Sequence, residues 1–369
     1  MQKLEEKGKE LFSKAGIKVN GNHPWDIQIH NPNFYSRVIN KKSLGLGESY
    51  MDKWWDVKQL DEFMNKLLSA NLNKKIKPDL IIHYLKAKIF NLQKKSLAFN
   101  IGKAHYDIGN DLYESMLDKR LIYTCGYWKN AKNLDEAQEA KLDLVCKKIG
   151  LKKGDKILDI GCGWGGFAKF ASEKYKAKVV GITVSKEQVT LAKKLCKGLD
   201  VEIRLQDYRD VNEKFDHIIS LGMFEHVGPK NYKEYFKIVR KNLKEDGLFL
   251  LHTIGNSVAV TKTDPWIDKY IFPNGVLPSM KQITDSSEDI FVIEDWHNFG
   301  ADYDKTLMAW NKNFQNAWPK LKKNYDEKFK RMWEYYLLTS AGSFRARKIY
   351  LWQIIMSKNG VKNGYKSIR

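Results

Sequence analysis

Lys156-Ile157-Leu158-Asp159-Ile160-Gly161-Cys162-Gly163-Trp164-Gly165-Gly166 is the stretch on which the architecture of this chain turns. Ile157, Leu158 and Ile160 read as a buried strand, the glycines as a tight turn, and the residues after them as the start of a helix. Working outward, a helix follows from about residue 166, then a strand over 178–182 and a helix over 185–196. Strands over 201–205 and 215–221, a helix over 230–243 and a strand over 248–254 continue the series. Two further strands are expected at 290–296 and 350–356, separated by aromatic-rich helices over about 303–339. Repeated strand-then-helix order predicts an α/β fold with a doubly wound, mostly parallel sheet. Ligands of such sheets bind at the carboxyl ends of the strands.

The glycines remove side chains that would hold a ligand off the backbone. Gly161, Gly163 and Gly166 fit the dinucleotide spacing, which also wants an acid about 20 residues on to hold a ribose hydroxyl. That position falls in Gly181-Ile182-Thr183-Val184-Ser185, which has none. Asp159, two residues before the first glycine, instead suits a ligand carrying its own positive charges, such as the ammonium and sulfonium of S-adenosylmethionine. A methyl donor is therefore favoured over a nicotinamide. Further polar clusters fall on the same rim: Gln206-Asp207-Tyr208, Glu225-His226 and His252. Asp207 can accept from an adenine amine, Tyr208 offers an aromatic face, and Thr183 and Gln188 can hold the ribose in place of the missing acid.

At 369 residues the chain is expected to form about two domains. The division read from the sequence is a mainly helical N-terminal domain over 1–87, a linker over 88–107 and a catalytic domain over 108–369. Helices are expected over 61–72 and 78–92; Lys86, Lys88, Lys94 and Lys95 make the second either a basic helix lying on a bilayer or an ordinary core-facing helix. Cys125, Cys146, Cys162 and Cys196 form no C-x-x-C pair, which points away from a metal site and towards a reducing, cytoplasmic location. No apolar run approaches the length of a membrane span, and the start MQKLEEKGKE is not a signal peptide. The net charge is +20 and sits at the two ends: residues 1–100 hold 18 Lys and Arg against 10 Asp and Glu, and residues 320–369 hold 13 against 3. Such patches attract a polyanion, either nucleic acid or an anionic membrane surface.

Five segments together carry a resemblance. Tyr123-Thr124-Cys125-Gly126-Tyr127-Trp128, the glycine loop, Gly222-Met223-Phe224-Glu225-His226-Val227-Gly228, Leu251-His252-Thr253-Ile254-Gly255 and Phe299-Gly300-Ala301-Asp302-Tyr303 resemble the motifs of cyclopropane fatty acid synthases. The segments around Asn20–Ile27 and Gly45–Met51 resemble the N-terminal domain of the members that act on phospholipid. The resemblance implies a class I methyltransferase that adds a methylene from S-adenosylmethionine to the cis double bond of an unsaturated phospholipid acyl chain. It further implies a carbocation, and a bound bicarbonate ion that takes the surplus proton. Carried over by motif, bicarbonate would be held by Cys125, Glu225, His252, Tyr303 and the backbone of Ile254. The donor would be held by Tyr123, Thr124, Asp159, Gly161, Gly163, Thr183, Val184, Gln188, Gln206, Asp207 and Tyr208. A homodimer, peripheral at the inner membrane surface and resting on anionic phospholipid, is part of the same expectation.

A carboxylate repels an anion, so Glu225 fits a bicarbonate site only if it shares a proton with the ligand or is itself protonated through a raised pKa. Ser340 stands where many relatives have cysteine, so a covalent thiol route through that position is not required. The rival readings are a basic nucleic-acid methyltransferase and a lipid methyltransferase that leaves a methyl branch. The nucleic-acid reading wants an Asn-Pro-Pro-Tyr-like turn after the fourth strand, where this chain has Met223-Phe224-Glu225-His226. No nucleic-acid partner is therefore expected.

Overall fold

The computed structural model describes residues 2–72 and 109–369. The expected helix over 78–92, the linker, and both domain boundaries read from the sequence lie outside the described residues. The chain forms two compact units. One gathers the described residues up to 72 with 263–273 and 303–349; the other gathers 109–262, 274–302 and 350–369.

The first unit is helical. It contains α1 (Gln2–Lys14), α2 (Phe34–Met51), α3 (Leu60–Ser69) and a short antiparallel pair, β1 (Gln28–Ile29) with β2 (Trp55–Asp56). Segments distant in sequence complete it, namely the short α9 (Pro265–Tyr270), most of α11 (Ala301–Leu321), and α12 (Glu327–Arg345). Fully buried Trp55 is its hub, packed against Phe34, Phe63 and Tyr335, with its indole N–H bonded to Ser49 Oγ at 3.0 Å. Gly342 of α12 meets α3 so closely that a Cβ there would lie 2.4 Å from Asp61 O. Arg345 then bonds Asp61, Glu62 and Asp304 together. Glu48, buried on α2, gathers Arg37, Lys41, Lys269 and Tyr270; against the desolvation of burial, the hydrogen bonds from Lys269, Arg37 and the Tyr270 hydroxyl hold its carboxyl down at about 2.

The second unit carries a seven-stranded sheet of β3 (Lys156–Ile160), β4 (Lys178–Thr183), β5 (Val201–Leu205), β6 (Phe215–Leu221), β7 (Leu243–Asn256), β8 (Val292–Asn298) and β9 (Ile349–Ser357). Their spatial order is β5-β4-β3-β6-β7-β9-β8. Strands β5 to β7 in that row pair in parallel, as expected, and β8 runs antiparallel to β9. Parallel strands buried on both faces read as nearly unbroken apolar runs, and β3 and β4 do so. Helices α4 (Asn110–Met116), α5 (Leu134–Lys148), α6 (Gly166–Tyr175), α7 (Lys186–Leu195), α8 (Tyr232–Asn242) and α10 (Met280–Ser287) belong to this unit. Two apolar clusters enclose the sheet, one built on Ile218, Phe224, Tyr235 and Phe249, the other on Leu142, Ile157, Phe167 and Ile219. The row reverses direction between β3 and β6, which opens a crevice at their carboxyl ends.

Candidate active site

That crevice is a cavity, and all eleven residues expected to hold a methyl donor line it. Nine of them come from the carboxyl ends of three strands or the segments just beyond: Asp159, Gly161 and Gly163 from β3, Thr183, Val184 and, in the first turn of α7, Gln188 from β4, and Gln206, Asp207 and Tyr208 from β5. Tyr123 and Thr124 reach it from the segment between α4 and α5. The glycines divide their work. Gly161, at φ +82°, is required by the fold, because a Cβ there would come within 2.7 Å of Met223. At Gly163, φ +55°, a Cβ would meet nothing within 4 Å, so its bareness leaves open space beside the backbone.

Much of the cavity's polarity is internally matched. The Thr183 hydroxyl donates to Gln188 Oε1 at 2.7 Å, and Ser185 caps α7 by accepting from Gln188 N. Both oxygens of Asp207 accept from Arg209, at 2.7 and 2.9 Å, so the carboxylate expected to meet an adenine amine already holds a guanidinium. Tyr208 lies with its edge towards Tyr235 and carries Arg209 over its ring at 4.9 Å. Asp159 is different. It is 2 % exposed and burial pushes its carboxyl up to about 7, with fully buried Lys141 drawing it back down. A buried carboxylate of this kind is completed by a ligand cation.

Beside the cavity stands a second group. Met223 and His226 line the cavity and flank Glu225, whose Oε1 accepts from Ile254 N at 2.7 Å. His252 lies two residues before Ile254 on β7, and its carbonyl accepts from Gly222 N at 2.9 Å. Burial raises the Glu225 carboxyl to about 7, against the lowering effect of the Ile254 N–H. Burial drives His252 well below 6.5, with Lys141 and Lys148 adding to the effect, so the ring is neutral. Gln353 of β9 faces it with Nε2 3.3 Å from Nδ1; with the amide donating, the imidazole proton sits on Nε2. Glu225 Oε2 and His252 Nε2 are buried without a hydrogen-bond partner among the described residues.

Cys125 is fully buried, its Sγ 3.1 Å from Gly126 O, and it contributes to the electrostatics of Lys141. Tyr303 opens the helical unit's share of α11, stacked on Phe344 at 4.5 Å. The Ile254 N–H, expected to face a ligand, is committed to Glu225. Three side chains of this neighbourhood were missed by sequence reasoning: Gln138, Lys141 and Gln353. All are fully buried. The signal for Gln353 was present, a single amide inside the apolar run Ile349–Met356. Gln138 and Lys141 gave none, because their helix carries polar and charged residues on its buried side as well as its exposed one.

Residues 93–354 match the family model described as mycolic acid cyclopropane synthetase. The chain is 55 % identical over 367 residues to the cyclopropane-fatty-acyl-phospholipid synthase of Escherichia coli K12, covering 98 % of this chain and 94 % of that protein. Among solved structures, the cyclopropane synthase MmaA2 from Mycobacterium tuberculosis superposes with a TM-score of 0.67 at 30 % identity, over 70 % of this chain and 98 % of that one. The mycolic acid cyclopropane synthase CmaA1, crystallised with SAH and CTAB, gives 0.65 at 31 %, again over 70 % and 98 %. The sheet is thus that of the class I methyltransferases.

Proposed function

The chain belongs to the mycolic acid cyclopropane synthetase family, and from that premise we propose that it transfers a methylene from S-adenosylmethionine to the cis double bond of an unsaturated phospholipid acyl chain, closing a cyclopropane ring. The observation that carries the reading is the pair of buried, unmatched polar atoms, Glu225 Oε2 and His252 Nε2, next to a cavity floored by buried Asp159. The residues present fit a methyl donor: among the described residues no cation is hydrogen-bonded to Asp159, and Gly163 leaves the backbone open. When bound, S-adenosylmethionine supplies an electrophilic methyl group.

An alkene is a poor nucleophile, so orientation and the exclusion of water supply much of the rate. Positive charge develops on the acyl chain, and Glu225 is placed to oppose it. One proton then leaves the added methyl as the ring closes. Bicarbonate, when bound, supplies the base for that proton. Glu225, titrating near 7, can share a proton with such an anion instead of repelling it. His252 Nε2–H donates to it, and the Ile254 N–H acts through Glu225 by fixing Oε1. Cys125 joins the set by family resemblance.

Two broader expectations belong to this reading. The enzyme works at an anionic phospholipid surface, which the exposed ammonium groups of Lys41, Lys269 and Lys328, each more than half exposed around Glu48 and Asp52, are suited to approach. It does so from the cytoplasmic side as a homodimer. No helix among the described residues is long and apolar enough to cross a membrane.

The test is incubation of the purified protein with methyl-labelled donor, bicarbonate and vesicles of cis-unsaturated phospholipid. A gain of one CH₂ with loss of the alkene supports the reading. An acyl chain that stays unlabelled overturns it, and one that gains the carbon but keeps a double bond replaces the cyclopropane product with a methylene branch.

A further inference from the structure

We propose that Lys141 is a positioning residue that fixes the Thr124 hydroxyl as a hydrogen-bond donor towards the carboxylate of the methyl donor's amino-acid end. The inference rests on the donor reading of the cavity.

Lys141 lines the cavity from α5 and is fully buried. Its Nζ donates to Thr124 Oγ1 at 2.9 Å, and among the described residues that ammonium has no other hydrogen bond or ion pair. An ammonium only donates, so Oγ1 must accept, and the hydroxyl hydrogen is left to point elsewhere. The rest of Thr124 cannot turn to spend it. Its carbonyl accepts from Gln138 Nε2 at 2.7 Å, one helical turn before Lys141. Its methyl lies against Gly222, where a Cβ would come within 2.7 Å of Cγ2. Backbone, methyl and hydroxyl oxygen are each held from a different side, and Thr124 itself lines the cavity.

Charge placement says what that hydroxyl awaits. The lining includes two basic side chains, Lys141, which burial lowers to about 8, and Arg209. Arg209 is neutralised by both oxygens of Asp207, at the end where β5 closes the cavity. Lys141 hydrogen-bonds only a neutral acceptor, while the carboxyls of Asp118 and Asp159 act on its charge without bonding to it. It works at the same end as Asp159, whose carboxylate it stabilises. An α-amino acid presents an ammonium and a carboxylate side by side. Asp159 is complementary to the first, and the Thr124 hydroxyl backed by Lys141 is complementary to the second.

The probes are S-adenosylhomocysteine, which has the amino-acid end, and 5′-methylthioadenosine, which lacks it, with affinities measured by calorimetry. Lys141→Met and Thr124→Val should each weaken S-adenosylhomocysteine by roughly 10- to 100-fold, the range of a hydrogen bond to a charged group. Both should leave 5′-methylthioadenosine within about twofold, since the groups they remove face the other end of the donor. Because Lys141 acts through Thr124, the double variant should be no weaker than the weaker single one. Thr124→Ser should restore the preference for S-adenosylhomocysteine. Equal losses for both ligands, unchanged S-adenosylhomocysteine binding, or losses that multiply in the double variant overturn the proposal. If Lys141→Met does not fold, Lys141→Gln, a shorter side chain without the ammonium, takes its place in the same comparison, with the same losses expected and the same outcomes overturning the proposal. Failure of the unsubstituted protein to bind S-adenosylhomocysteine overturns instead the donor reading on which the proposal stands.

Discussion

In the donor cavity, polar side chains answer one another: Thr183 bonds Gln188, and Asp207 takes two bonds from Arg209. A few residues away on neighbouring strand ends, Glu225 keeps Oε2, His252 keeps Nε2 and Gln353 keeps Oε1 buried without partners among the described residues. Leaving a buried polar atom unmatched costs about 1–3 kcal/mol, and a ligand that completes several of them together recovers that cost. The contrast separates two tasks. Recognition is prepaid by groups that hold each other in place, while the reactive corner is held in a state that only a ligand or a reaction satisfies.

The strongest way to break the contrast is Glu225→Gln. The amide still accepts from Ile254, so turnover should fall roughly 10²- to 10⁴-fold with S-adenosylhomocysteine affinity within about twofold. Steady-state kinetics and calorimetry on the same preparation check both. Retained turnover would remove Glu225 from the reactive corner, and lost affinity would merge the two regions.

Asp159→Asn tests the cavity carboxylate to which, among the described residues, no cation is hydrogen-bonded. It should weaken S-adenosylhomocysteine about tenfold or more. Donor-free stability should move the other way. The folded-state pKa of about 7 lies above the ordinary 3.8, so the native state keeps its proton longer and this group's contribution to stability declines as pH rises from about 4 to 7. The variant's melting temperature should therefore exceed that of the unsubstituted protein at pH 8, with the difference gone at pH 4. Thermal melts across that range would show a flat difference if Asp159 is ionised throughout.

Smaller effects sharpen the comparison. Gln353→Met removes the amide that orients His252 and should lower kcat about tenfold without changing S-adenosylhomocysteine affinity. Thr183→Val breaks one matched pair and should cost only a few-fold in S-adenosylhomocysteine binding, since Gln188 can turn to another partner. A larger loss from Thr183→Val than from Asp159→Asn would show that the cavity's matched groups, not its lone carboxylate, carry recognition.

Most of the sheet was legible because buried parallel strands leave apolar runs. The strands expected at 178–182 and 350–356 stand at Lys178–Thr183 and Ile349–Ser357, and the helix expected over 61–72 stands at Leu60–Ser69. The helix α5 was not anticipated. Its buried positions include Gln138, Lys141 and Lys148 among the apolar ones, so no clean stripe marks its inner face. Those polar residues face inwards because Thr124 and His297 receive them, at 2.7 to 3.0 Å, and such partners lie too far along the chain to be read locally. The make-up of the helical unit was hidden for the same reason. Gly342 and Arg345 meet Asp61 across nearly three hundred residues, and periodicity carries no record of that. The cavity residues that follow β3, β4 and β5, by contrast, were readable as a set, since the topology alone gathers strand ends together, whereas Tyr123 and Thr124, between α4 and α5, came only through the motif resemblance.

The row β7-β9-β8 carries one last implication, for how the protein comes off the ribosome. β9 follows β8 in the chain yet is threaded between β8 and β7, and it brings Gln353 to His252. A nascent chain that has already made β3 through β8 therefore still holds an open seam, with its histidine unsteadied, and the gap closes only when the newest strand slots in. Until that strand is in place Gln353 cannot meet His252, so the reactive corner depends on one of the last segments of the chain to be synthesised.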